Sequence, residues 1–432
     1  MEINGHGAII ASVSILGIIL FGEFFIWELN NYIRLADHHG SVTFGAIGGI
    51  QVLIAILLCY TVWRMLSGYY IKPGKGRRGF VFILITWLAW MSFVGGMVHQ
   101  DDFSQALIML WGVISGFLLM KTIRVDKWFV AIALAFMCIN CTAAYDLFPT
   151  SKQNSLLTHR WHGPWINANT YGAVCAIMVI FCVSFFSAKT FHALCFKKSY
   201  LVINKSVVIL IIWALVATTC YGLIKSGSRT AVSYSVGALI IYAIIAYYNR
   251  DIRVIKGSLV ILACTLSMLF FSLVSPHDRQ SVRLLRYDWA GDLSIYHRLV
   301  CWRAALVVWF DNPLWGYGWS FLDVLDARRV VLGISDVRAA MLNNFTQTLA
   351  TRGILGGGGL FYVTGIILVQ SYRNTCIPGF TPIGLASVFM VFMSLINDVL
   401  YSISLGPLYW ALFFEVNRWD YSPAVRLGDS RF

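Results

Sequence analysis

Long, nearly uncharged apolar runs constrain this 432-residue chain more than anything else it contains. A hydrocarbon core of about 30 Å is crossed by about 20 apolar helical residues. Runs of that order lie at 8 to 28, 42 to 63, 79 to 98, 103 to 120, 128 to 147, 167 to 187, 206 to 223, 230 to 248, 255 to 274, 354 to 371, 380 to 398 and 402 to 417. In lipid every backbone polar group must be bonded internally. The chain is therefore expected to be all-α: a polytopic membrane protein of about twelve transmembrane helices with one large extracytoplasmic loop. Composition agrees, since 58% of residues are hydrophobic and only 12% charged, with a mean hydropathy of +0.71. The first run begins after Met1-Glu2-Ile3-Asn4-Gly5 without a basic leader, so it is expected to remain as an anchor and not to be cleaved.

Basic residues set the orientation. Arg64, Lys72, Lys75, Arg77 and Arg78 share one connection; Lys121, Arg124 and Lys127 another; then come Lys189, Lys197, Lys198 and Lys205, and then Arg250, Arg253 and Lys256. Each group follows an even-numbered run, with Arg373 after the tenth, whereas the short connections of the other set carry only Arg34, Lys152, Arg160, Lys225 and Arg229. By the positive-inside rule both termini are cytoplasmic. The net charge of +13 then reflects orientation, and no soluble basic module suggests a nucleic-acid partner. Of the ten cysteines, only Cys301 falls in a long outer segment, so no structural disulfide is expected.

Three parts follow: helices one to nine in residues 1–274, the outer loop in 275–353, and the last helices with a cytoplasmic tail in 354–432. The loop carries Arg279, Arg283, Arg286, Arg298, Arg303, Arg328, Arg329, Arg338 and Arg352. Long loops cross membranes largely regardless of charge, which would make this a tolerated basic loop. Arginine, however, grips phosphate bidentately, and an anionic ligand is the preferred reading. Within the loop, Leu299, Trp302, Leu306 and Trp309 recur at helical spacing from His297 to Asp311. Such a helix is expected to lie on the membrane surface and turn Arg298 toward a headgroup.

Shorter outer segments are also unusual. Leu156 to Gly172 combines the cluster His159-Arg160-Trp161-His162 with Pro164, Asn167 and Asn169 before the sixth helix; one Asn serves as a helix cap, and the aromatic and amide side chains suit a sugar. Lys225 to Thr230 opens the eighth helix with Arg229, where backbone N–H groups favour phosphate. Asn312 to Gly318 reads as a tight turn. Gly356 to Gly359 lacks the context of a phosphate loop and fits close helix packing. No carboxylate and His pair recurs at metal-ligand spacing, so neither metal nor cofactor is expected.

In order along the chain, these elements resemble the O-antigen ligase and O-antigen polymerase superfamily of bacterial envelope glycosyltransferases. The carriers are Gly163-Pro164-Trp165-Ile166-Asn167-Ala168-Asn169; Ser226-Gly227-Ser228-Arg229; Arg298 with Trp302, Asp311, Pro313, Gly316 and Gly318; and Asn343-Asn344-Phe345 with Leu349-Ala350 and Gly353-Ile354-Leu355-Gly356. The resemblance covers roughly residues 160 to 400. One departure is Leu342, which stands where the family's ligases usually have His.

The resemblance implies transfer of a glycan from a polyprenyl diphosphate to an acceptor hydroxyl at the outer face of the bacterial inner membrane. Charge builds on the departing diphosphate, and preorganised cations stabilise it. Arg229 and Arg298 are the expected clamp, assisted by Arg283, Arg286 or Arg338. Arg160, Trp161, His162, Asn167, Asn169, Asn343 and Asn344 are the expected glycan contacts. Asp336, Asp398, His297 and His162 compete as the base for the acceptor hydroxyl. An ionisable group within the membrane is functional by default, although Asp398 is equally readable as the partner of an arginine, and Glu23 as a helix-to-helix hydrogen bond. Implied partners are the lipid-linked oligosaccharide, membrane lipid, a chain-length regulator and a flippase. Leu342 favours polymerase over ligase. A transporter of the same lipid is the alternative from another class, disfavoured because no internal repeat is evident and the polar residues gather at the outer face. A catalytically inactive scaffold is the third reading.

Overall fold

The computed structural model describes residues 168–184, 205–274, 293–333, 343–375 and 381–396, with isolated positions between 87 and 137 and between 399 and 413. Among the described residues every regular element is helical. In chain order these are α1 (Ala168–Ser184), α2 (Lys205–Lys225), α3 (Arg229–Tyr248), α4 (Ile252–Val274), α5 (Leu293–Asp311), a 3-10 turn (Gly318–Ser320), α6 (Phe321–Ala327), α7 (Arg329–Leu332), α8 (Asn344–Thr375) and α9 (Thr381–Ile396). The expected spans at 167–187, 206–223, 230–248, 255–274 and 380–398 thus meet helices with closely matching ends. Expected spans before residue 167, and the last one, fall outside the described residues apart from isolated positions. Among the described residues three helical segments are long and apolar enough to cross a membrane: Arg229–Tyr248, Ile252–Phe271 and Asn344–Arg373.

The chain forms two compact units. One comprises Met1–Thr43, Lys121–Trp289 and Tyr372–Phe389; the other comprises Phe44–Met120, Ala290–Ser371 and Met390–Phe432. In the first unit α3 packs chiefly on α4 and α1 on α2, with α1 also against α3. These helices are apolar on all sides because both environments are apolar. Leu215, Leu223 and Ile261 are buried against neighbours, while Leu210, Ile244, Phe270 and Phe271 face outward. Hydroxyls in such helices bond back to the preceding turn: Ser235 donates to the Ala231 carbonyl at 2.8 Å and Thr265 to that of Ile261 at 2.9 Å. Tyr234 of α3 donates to the Leu385 carbonyl at 2.7 Å and packs against Phe389, tying the start of α9 to this unit. The turn between α3 and α4 puts Arg250 in the left-handed region, and the Asp251 side chain accepts from the Val254 amide at 3.3 Å.

The second unit is built differently. α5 buries Cys301, Ala304, Ala305 and Val308 against Phe321 and Leu325 of α6 and Ala350 of α8. The sequence pattern pointed to Leu299, Trp302, Leu306 and Trp309 as the apolar face, yet Leu299 is exposed and the other three are half-buried. Small residues win the seam because they let helix backbones approach closely. α6 and α7 also place helical turns inside the segment expected as a loop.

α8 begins at Asn344, ten residues ahead of the expected span, and breaks at Gly353 (φ 69°, ψ −168°). Continuous helix would pair the Ile354 N–H with the Ala350 carbonyl. Instead the Ile354 amide donates to the Pro313 carbonyl at 2.8 Å, and the Tyr317 amide donates to that of Ala350 at 2.8 Å. The Asn312–Gly318 turn therefore satisfies both halves of the bond that the break removes, as a buried backbone requires. Only glycines admit this approach. A Cβ on Gly353 would lie 1.9 Å from the Leu314 oxygen, and one on Gly316 2.7 Å from that of Ala350.

Candidate functional site

In the first unit, two of the polar segments singled out by sequence meet. The end of α2 turns through Ser226 and Gly227, whose φ is +60°, and Ser228 caps α3 by accepting from the Ala231 amide at 3.4 Å. Ser226 braces the turn: its hydroxyl donates to the Leu223 carbonyl at 2.6 Å and accepts from the Ser228 amide at 3.2 Å. The turn sits on Gly172 of α1, where a Cβ would come within 2.7 Å of both Ser226 Oγ and Ser228 Cβ. The first turns of α1 and α3 thereby lie close together, with half-buried Asn169 on one and half-buried Arg229 on the other. Helix N-termini carry partial positive charge, so their approach beside a guanidinium forms an anion-attracting corner. The sequence named Asn169 and Arg229 separately; Gly172, which seats α1 on the Ser226–Ser228 turn, was not singled out.

In the second unit, the Arg298 guanidinium is partly buried and its Nη1 donates to the Ile396 carbonyl at 3.1 Å. Ile396 ends α9, and a cation at a helix C-terminus satisfies an orphan carbonyl and complements the dipole. The bond fixes where the guanidinium sits. The loop signature is structural in detail. Asp311 pairs with Arg328, the Asn312 side-chain Nδ2 donates to the Gly316 carbonyl, Trp309 Nε1 donates to that of Pro313 at 3.1 Å, and Gly316 and Gly318 both have positive φ. The Arg328 pKa is held above its ordinary value, first by the hydrogen bond to Asp311 and then by that carboxylate's charge.

The motif at the start of α8 is buried from Asn343 through Gly353. Asn343 is the helix cap: its side-chain oxygen accepts from the Phe345 and Thr346 amides at 2.9 and 3.2 Å. Asn344 beside it is fully enclosed. Thr346, Gln347, Thr348, Thr351 and Arg352 continue a buried polar half-helix, and Gln347 and Arg352 within it were not among the candidate site residues. Their signal in the sequence was polar density directly ahead of an apolar run. Three of the four glycines after the break serve packing, and Gly358 faces open space. At Gly359 a Cβ would lie 2.1 Å from the Trp87 ring, at Gly357 2.3 Å from Leu349 and at Gly356 2.5 Å from Arg352, while Trp87 Nε1 donates to the Gly356 carbonyl at 2.9 Å.

Arg160, Trp161, His162, Asn167, Arg283, Arg286, Asp336, Arg338, Leu342, Asp398 and Glu23 lie outside the described residues, as does the side chain of His297. Asp398 is two residues beyond the Ile396 carbonyl that Arg298 holds.

No curated protein matches the chain. A family model described as O-antigen ligase matches residues 213–361. That segment runs from the middle of α2 through the Ser228 cap, the α5 seam and the broken start of α8, and its match supports the O-antigen ligase and polymerase superfamily to which the motifs pointed.

Proposed function

We propose that this protein is a metal-independent membrane glycosyltransferase that polymerises polyprenyl-diphosphate-linked oligosaccharide repeat units, as O-antigen or exopolysaccharide, on the outer face of the bacterial inner membrane. The observation that carries the reading is the corner at Gly172, where the starts of α1 and α3 approach with Arg229 beside them. A diphosphate leaving group needs cations already in place, and Arg229 there, with Arg298 as second clamp, supplies them. Arg283, Arg286 and Arg338 assist. Asp336 or Asp398 takes the acceptor proton. Arg160, Trp161, His162, Asn167, Asn169, Asn343 and Asn344 contact the glycan, with Asn343 doing so only through what its capping bonds leave over.

The proposal includes about twelve spans, both termini in the cytoplasm, helices one to nine in residues 1–274, the extracytoplasmic loop at 275–353 and the last helices from 354. A chain-length regulator and a flippase are the proposed partners. Leu342, in place of the His that the family's ligases carry, favours polymerase over ligase.

The test is surface polysaccharide from a strain lacking the protein, run on a gel beside wild type and an Arg229→Ala complement. Single repeat units in place of a ladder, with the variant protein present at wild-type level, are expected. Full-length chains stranded on the carrier lipid would make the protein a ligase. Loss of lipid-linked units from the outer leaflet would make it a transporter, and an undiminished ladder in the deletion would leave a scaffold.

A further inference from the structure

The buried half-helix at the start of α8 contains a side-chain amide without a partner among the described residues. Gln347 is fully enclosed, and neither Oε1 nor Nε2 has a hydrogen-bond partner among the described residues. Its backbone is in order: the amide N–H donates to the Asn343 carbonyl at 2.9 Å, and its carbonyl accepts from the Thr351 hydroxyl at 2.8 Å. Only the side chain is left over. A second orphan belongs to the neighbouring helix α5. Trp302 Nε1 of α5 is enclosed and without a partner among the described residues. Trp302 follows Cys301, and Gln347 lies one turn before Ala350; Cys301 and Ala350 belong to one packed cluster. The Trp302 indole N–H and both polar atoms of the Gln347 amide therefore go unsatisfied among the described residues, on the two helices that this cluster joins. Burying such groups unpaired is costly, native interiors rarely tolerate it, and a ligand that completes them is recognised by the cost of doing without it.

We infer that Gln347, together with Trp302, is a specificity-determining site for the hydroxyl groups of a sugar in the lipid-linked glycan. The inference rests on the transferase reading above and extends it to residues outside the arginine clamp. Hydroxyls both donate and accept, so a sugar's hydroxyl edge matches an indole N–H and an amide, whereas a lipid tail or a diphosphate does not. The same chemistry is offered by the donor glycan on its carrier and by the acceptor end of the growing chain.

The test uses the full-length protein in detergent, with lipid-linked oligosaccharide extracted from the deletion strain as probe. Gln347→Met keeps the volume and removes the polar atoms. Without probe it is expected to unfold about 2 °C above wild type, since an unpaired buried amide has been removed. With probe, wild type is stabilised, while Gln347→Met and Trp302→Phe require at least tenfold more probe for the same shift. In transfer assays the KM rises for whichever glycan the site holds: for the carrier-linked donor if it reads the donor, for added polymer if it reads the acceptor. A Gln347→Met protein that unfolds well below wild type makes the amide structural and overturns the inference. Equal stabilisation of wild type and both variants by the probe also overturns it, while leaving the transferase reading intact. Absence of any probe shift in wild type overturns the transferase reading and this inference with it.

Discussion

The helices α1 to α4 and the segment from α5 to α8 solve the same problem in opposite ways. Both must satisfy their buried backbone groups. The first set does so by staying regular: four uninterrupted helices, hydroxyls such as those of Ser235 and Thr265 folded back onto their own turns, and a glycine contact where α1 meets the Ser226–Ser228 turn. The second set breaks α8 at Gly353 and repairs the break with a turn from elsewhere in the chain. It also keeps a polar half-helix buried. Both sets depart from local rules: the first at left-handed Arg250 and at the Thr219 and Ser258 hydroxyls, which lack partners among the described residues, and the second at the Gly353 break and the Gln347 amide. The regular helices carry Arg229 at the start of α3, while the irregular segment encloses the polar side chains at the start of α8.

The sharpest way to break the contrast is Gly353→Ala. The new Cβ would lie 1.9 Å from the Leu314 oxygen, in a backbone region essentially closed to other residues. A loss of more than about 3 kcal/mol is expected, read as loss of folded protein in membranes; wild-type stability would mean that the stitch is not needed. Gly172→Ala tests the frame. Its Cβ would meet Ser226 and Ser228 at 2.7 Å, and a cost of about 1–3 kcal/mol from overpacking is expected, with polymer yield falling further than protein level because the start of α3 is displaced. If yield and level fall together, the corner is only structural. Asn343→Ala removes the cap of the half-helix at a cost of about 1–2 kcal/mol, visible as a lower unfolding temperature, while Asn343→Asp keeps most of it.

The smallest effect belongs to Arg328→Ala. The pair with Asp311 is exposed, and exposed pairs contribute little. Asp311 raises the Arg328 pKa, so whatever the pair contributes is present below arginine's ordinary pKa and lost only as pH rises through the still higher folded value. Unfolding curves of variant and wild type should keep a constant offset across the neutral pH range. An offset that changes there would show that Arg328 is not the group responsible.

Part of the candidate site was legible because its residues announce themselves. Arg229 follows a Ser-Gly-Ser turn ahead of an apolar run, and a capped helix start is a local property that the structure reproduces at Ser228. Arg298 was legible as a candidate, but not its bond to Ile396, which lies 98 residues away in the chain. α5 was legible as a helix but not in its facing, because periodicity selected the large side chains whereas packing selected the small ones. Gln347 was hidden by its neighbours: amid Asn343, Asn344, Thr346 and Thr348 it is one polar residue among several, and its isolation is a fact about what surrounds it.

The sequence by itself determined that this chain is helical and built for a membrane, since hydrophobic length is additive along the chain and independent of what packs where. It also determined where helices begin, through caps and turns that act within a few residues. The tertiary structure alone decided that α8 is broken and repaired by the Asn312–Gly318 turn, that Gly172 joins two polar segments, and that the Gln347 amide has no partner among the described residues. The reason is physical: a hydrogen bond or a close approach between distant residues depends on the position of both partners, and only the folded chain fixes both.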